Sequence, residues 1–159
     1  REEVKAFIRS KCPKMKIVDM ADRSGLSLGM LYRLISVPYS GNRHMGLVLQ
    51  VVMGLSRIVD DSAEDLFVEY ILGEVEEVSF IPEVYSFRSW LDHYKGSYLY
   101  QEVGDSLGVD NQIITNWNKE RAKPSDGFFR WLLESLEKLC GHSRQEMCRS
   151  YFRMVVRLE

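Results

Sequence analysis

The side chains best equipped for chemistry in this sequence are amides. Asn111 and Gln112 are followed one turn on by Thr115 and Asn116, and helical residues three or four apart are neighbours. An Asn or Gln amide donates and accepts at once, which suits the paired N6 and N7 atoms of adenine. An exposed amide can equally be no more than solvated. Lys119, Arg121 and Lys123 follow closely, and fixed positive charge of this kind suits phosphate oxygens. Covalent chemistry is poorly provided for. There is no HExxH and no phosphate-cradling glycine loop, and His44, His93 and His142 share no helical face. Cys12, Cys140 and Cys148 are odd in number and lack a CxxC pair, which predicts reduced thiols. Cys140, His142 and Cys148 lack the fourth ligand that zinc usually needs. No catalytic residue, metal or cofactor is expected.

Something must hold the amides outward, and the residues before them supply it. Gly108 stands where the chain must turn, because only glycine enters left-handed backbone space without steric cost. Val109 is the apolar residue inside the turn, Asp110 a helix cap, and Ile114 and Trp117 an inner helical face. The same order stands 83 residues earlier, with Gly25, Leu26, Ser27, Leu31 and Leu34 in the matching places. At this one offset Met20 meets Val103 and Ala21 meets Gly104. A small residue, a turn glycine, an apolar residue, a cap and a periodic helix make a helix-turn-helix. An internal repeat governs the architecture of a chain, and here it predicts two similar halves.

The rest of the sequence fits that division. The first half predicts helices over 2–11, 14–23, 27–36, 43–57 and, after a capping serine at Ser62, up to Gly73. The second predicts them over 86–95, 97–107, 110–120, 126–139 and, after a full capping box at Ser143 with Glu146, to near the end. Loops rich in breakers follow Val37 and Arg121. The expected organisation is unit 1 over 1–73, a connector over 74–85 and unit 2 over 86–159. The connector alternates Glu74, Glu76, Glu77 and Glu83 with Val75, Val78, Phe80, Ile81 and Val84. Those apolar residues predict packing on one or both units. The net charge of −2 divides unevenly: residues 1–57 carry +6 and residues 58–85 carry −9. The acids predict a solvated face, leaving a basic surface elsewhere. No apolar run approaches the ~20 residues that span a membrane.

Five helices with the outward helix third resemble the lambda-repressor-like fold of the Cro/cI (XRE) family, once in each half. The phrase Ala21-Asp22-Arg23-Ser24-Gly25-Leu26-Ser27 is similar to that family's second helix and turn. The resemblance implies an all-α fold of two tandem five-helix units. It implies that the opening of the third helix, and its next turn, read DNA bases in the major groove. By position these are Ser27, Leu28, Gly29, Tyr32 and Arg33, then Asp110, Asn111, Gln112, Thr115, Asn116 and Lys119. Leu28 and Gly29 depart from the usual polar readers. Leu28 suits a thymine methyl, and Arg33 a guanine or a phosphate. Asp110 suits DNA only with its carboxylate engaged in capping. Lys14, Lys16, Arg43, Arg121 and Lys123 suit phosphate.

The expectation is a transcription regulator, not an enzyme, bacterial or phage-encoded, cytoplasmic and nucleoid-associated, with double-stranded DNA as partner. One chain would cover two half-sites, and a homodimer would present four readers. The alternative is a protein-interaction regulator of antitoxin or anti-activator type, whose acidic junction binds a basic partner.

Overall fold

The computed structural model describes residues 3–37, 39 and 41–157, with Glu3 described in its backbone only. Glu2, Pro38 and Ser40, which the sequence places in the first helix and the first loop, lie outside the described residues. The chain is all-α. Among the described residues there are ten helices and no strands: α1 Glu3–Lys11, α2 Ile17–Ser24, α3 Leu28–Ser36, α4 Met45–Leu55, α5 Ala63–Leu72, α6 Phe87–Lys95, α7 Tyr100–Leu107, α8 Asn111–Asn118, α9 Asp126–Cys140 and α10 Arg144–Arg157.

Local signals set most of these boundaries. Ser27, Ser62, Ser86, Asp110 and Ser125 each stand at an N-cap, and their side chains accept from the backbone two or three residues on. Ser143 Oγ accepts from Glu146 N at 3.4 Å ahead of α10. Three helices start later than the sequence suggests. α2 begins at Ile17 and not Lys14, because Arg9 Nη1 donates to Met15 O at 3.0 Å and holds 12–16 as a turn. α7 begins at Tyr100 and not Ser97, because Lys95 and Tyr98 close a turn on each other. α4 begins at Met45 and not Arg43, whose backbone is engaged elsewhere.

The same helix pairs pack in each half. α2 lies on α3 and α4, α1 on α3 and α4, and α4 on α5. Correspondingly, α7 lies on α8 and α9, α6 on α8 and α9, and α9 on α10. The halves also pack on each other, mainly through α5 against α10 and α9. Phe67 of α5 sits among Phe129, Tyr151 and Phe152, with ring centroids 6.1, 6.3 and 5.2 Å away. Buried apolar residues of both halves form one core.

A buried aspartate ties the halves at a second place. Asp126 Oδ1 accepts from Arg43 N at 2.8 Å, Arg43 O accepts from Asp126 N at 3.0 Å, and Tyr70 donates its hydroxyl to Asp126 Oδ2 at 2.6 Å. Burial, then this bond to a carboxylate, pushes the Tyr70 hydroxyl pKa well up. A Cβ on Gly127 would lie 2.0 Å from Asn42 Oδ1, so a larger residue at this first turn of α9 would push the Asn42 side chain aside.

The connector contains no helix and lies along α10. Glu76 N donates to Gln145 Oε1, Arg149 Nη2 to Glu76 O, Ser150 Oγ to Pro82 O and Arg157 Nη1 to Val84 O. Val84 is buried, whereas Val75 and Phe80 stay exposed. The acids of 58–85 are not simply a solvated face. Glu64 pairs with Arg149 at 2.8 Å and with Arg153 at 2.6 Å, Asp65 with Arg149 at 2.9 Å, and Glu69 with Lys11 at 2.6 Å. Tertiary packing brings up these arginines from α10, about half a chain away.

Candidate nucleic-acid interface

Two turns present the helices that the sequence singles out. In the first, Gly25 ends α2 at φ 77°, and its N–H donates to Ala21 O at 3.1 Å. Ser24 Oγ accepts from Leu26 N, and Ser27 Oγ accepts from Met30 N, both at 3.1 Å. Arg57, from beyond α4, donates to Ser24 O at 3.0 Å and clamps the turn. The φ calls for glycine, and a Cβ on Gly25 would sit 2.3 Å from Arg57 Nη1 and displace that clamp. Leu31, Leu34 and Ile35 face inward, which turns Leu28, Gly29, Tyr32 and Arg33 to solvent.

In the second turn Gly108 ends α7 at φ 70°. Asp110 Oδ1 accepts from Gln112 N at 2.8 Å, so its carboxylate is engaged as a cap. This local bond draws its charge toward the helix N-terminus, where a negative charge is stabilised. Ile114 and Trp117 are buried, which directs Asn111 and Gln112 outward as exposed side chains and leaves Thr115 and Asn116 half-buried. Gln112 Nε2 donates to Asn116 Oδ1 at 3.0 Å across one turn. The pair keeps the Gln112 oxygen and the Asn116 amide hydrogens for other partners. Thr115 Oγ1 donates to Asn111 O at 3.1 Å, which fixes its rotamer and leaves its lone pairs available. Lys119 follows the helix as its C-cap and is exposed.

The cationic candidates fall into two groups. Lys14 and Lys16 are exposed in the turn before α2, and Arg121 and Lys123 are exposed in the loop after α8. Arg121 N is anchored on Asn116 O at 3.0 Å, which ties this loop to α8. Arg43 differs from the others. It is half-buried, its guanidinium carbon lies 3.7 Å from the Tyr39 ring centroid, and its backbone holds Asp126. Its first role is therefore at the junction of the halves.

The two presented surfaces differ in chemistry. α8 offers amides beside cations. α3 offers Leu28 and Tyr32, 50% and 59% exposed, next to Val18 of α2 at 58%. With Lys16, Ile17 and Gly29 these residues line a shallow, largely apolar groove. Reading the sequence along α3 alone gives Leu28 and Tyr32 but misses Val18, which the crossing of α2 over α3 brings alongside.

Elsewhere the packing unites residues that the sequence keeps apart. The rings of His93 and His142 lie 6.2 Å apart and each meets Tyr94 edge-on, although they share no helix. Cys140 Sγ donates to Lys95 O at 3.3 Å, and burial pushes the Cys148 thiol pKa well up. Among the described residues no three His, Cys, Asp or Glu side chains are placed to hold a metal ion, and no helix is long and apolar enough to cross a membrane. No protein-family model, curated protein or solved structure matches this chain.

Proposed function

We propose that this chain is a double-stranded DNA-binding regulator of the lambda-repressor-like type, with two tandem helix-turn-helix units. One observation carries the reading. The same helix pairs pack twice, and in the second half they turn Asn111 and Gln112 outward, with half-buried Asn116 bonded to Gln112, beside Lys119, Arg121 and Lys123. Amides next to a cationic loop suit base edges flanked by phosphates. Asp110, engaged as a cap, suits an approach to DNA better than a free carboxylate. The chain would act by occupancy, as a binding protein and not an enzyme. Gel-shift titration over a salt series tests the reading, because counterion release makes phosphate-driven affinity fall steeply with salt. Salt-independent binding, or none at low salt, contradicts it.

The apolar surface of α3 favours a second reading for the first half alone. Leu28, Tyr32 and Val18 offer few hydrogen bonds to bases and suit a protein partner. Replacing Leu28 and Tyr32 together with serine separates the two roles. Unchanged DNA-site preference supports protein docking by α3, and altered preference supports base reading by it.

A further inference from the structure

Beneath the C-terminal end of α8 lies a cavity of about 200 Å³. Phe87, Trp117, Met154 and Val155 form apolar walls with Tyr151, and Glu120 and Lys123 add one acid and one base. Tyr151 is 1% exposed, yet its hydroxyl has no hydrogen-bond partner in the protein. Tyr70 holds the matching place in the first half, since each tyrosine stands eight residues after its capping serine, Ser62 or Ser143. The Tyr70 hydroxyl is satisfied by Asp126. A buried hydroxyl without a partner is destabilising; Tyr94, Asn118 and Arg149 of the same half also carry a buried polar atom without a partner, but of these four only Tyr151 lines the cavity. The loop over the cavity is strained as well. Glu120 has φ 58°, the one positive φ outside glycine among the described residues, and its carboxylate accepts from Phe87 N at 3.3 Å.

We propose that this cavity binds a small, neutral aromatic molecule carrying one hydrogen-bonding group. An apolar cavity of about 150 Å³ accepts a benzene-sized guest, so one or two fused rings fit. Aromatic walls favour a flat ring. The charges of Glu120 and Lys123 oppose each other, so the lining carries no net charge to select a charged ligand of either sign. The Tyr151 hydroxyl both donates and accepts, and serves a ring N–H or a ring oxygen equally. Trp117 belongs to α8, and Lys123 to the loop after it. Occupancy therefore bears on the presented helix and its cationic flank. That link rests on the DNA reading, whereas binding of the ligand does not.

Calorimetric titration of the full chain with phenol and with indole tests the proposal. Saturable one-to-one binding of at least one is expected, with the Trp117 indole N–H resonance shifted and that of exposed Trp131 unmoved. Tyr151→Phe should weaken that binding roughly tenfold, the effect of one hydrogen bond, while raising the Tm of the ligand-free chain. Ala122→Trp, which blocks the cavity from an exposed position, should abolish binding without lowering the Tm. The proposal is overturned if neither compound binds, if binding survives Ala122→Trp, or if the shifts map away from Trp117. None of these readouts involves DNA, so failure of the DNA reading leaves them standing.

Discussion

Gln112 and Asn116 show how a single side chain is prepared for recognition. Their mutual bond at 3.0 Å orders two amides before any partner arrives, which lowers the entropy cost of binding. Asn111→Ala with Gln112→Ala should therefore reduce discrimination between sites more than total affinity. A correct amide–base contact is worth about 1–3 kcal/mol of selectivity, and competition binding with variant sites measures it. At the turn, Gly25→Ala forces a side chain into left-handed space and displaces Arg57. A loss of about 1–2 kcal/mol is expected, read by urea denaturation. The caps and turn glycines were legible in the sequence because their partners lie within four residues. Arg57 was not, because it donates to Ser24 across 33 residues. Asp126 was equally hidden, with partners 83 and 56 positions away.

At the level of helices, the inner faces were plain from periodicity, but the starts of α2, α4 and α7 were not. The start of α4 is decided by a junction contact 83 residues away, and those of α2 and α7 by short turn contacts that the apolar periodicity does not reveal. The acidic run at 58–85 was visible as charge, while its use was not, because the partners lie on α10. Burial opposes ionisation of Glu64, but hydrogen bonds from Arg153 and Arg149 outweigh it and hold the carboxyl below its usual range. A lowered folded pKa gives stability that is present above the unfolded pKa and is lost as pH falls through the folded one. Glu64→Gln should thus cost about 2 kcal/mol at neutral pH, and the difference from the parent should shrink in acid. Thermal denaturation of both proteins at neutral pH and near pH 3 measures it. A gap that stays constant would place the effect in packing and not in charge.

For the molecule as a whole, one offset in the sequence aligns core with core and cap with cap, and corresponding helix pairs are in contact in each half. The joining of the halves was not legible, since nothing in the sequence pairs α5 with α10. That packing, with the Asp126 junction and the connector laid on α10, fixes the two presented helices in one body. Lys14→Ala with Lys16→Ala should weaken binding to all sequences alike and reduce the logarithmic salt slope by about two. A changed site preference would remove these lysines from the phosphate role. The most direct measurement is selection of bound fragments from random double-stranded DNA by the full chain, repeated with Asn111→Ala and Gln112→Ala combined. The expected result is a recurrent box that the parent enriches and the double variant reads with relaxed sequence. No enrichment by the parent, or the same box from both proteins, would contradict the assignment of α8 as a DNA reader.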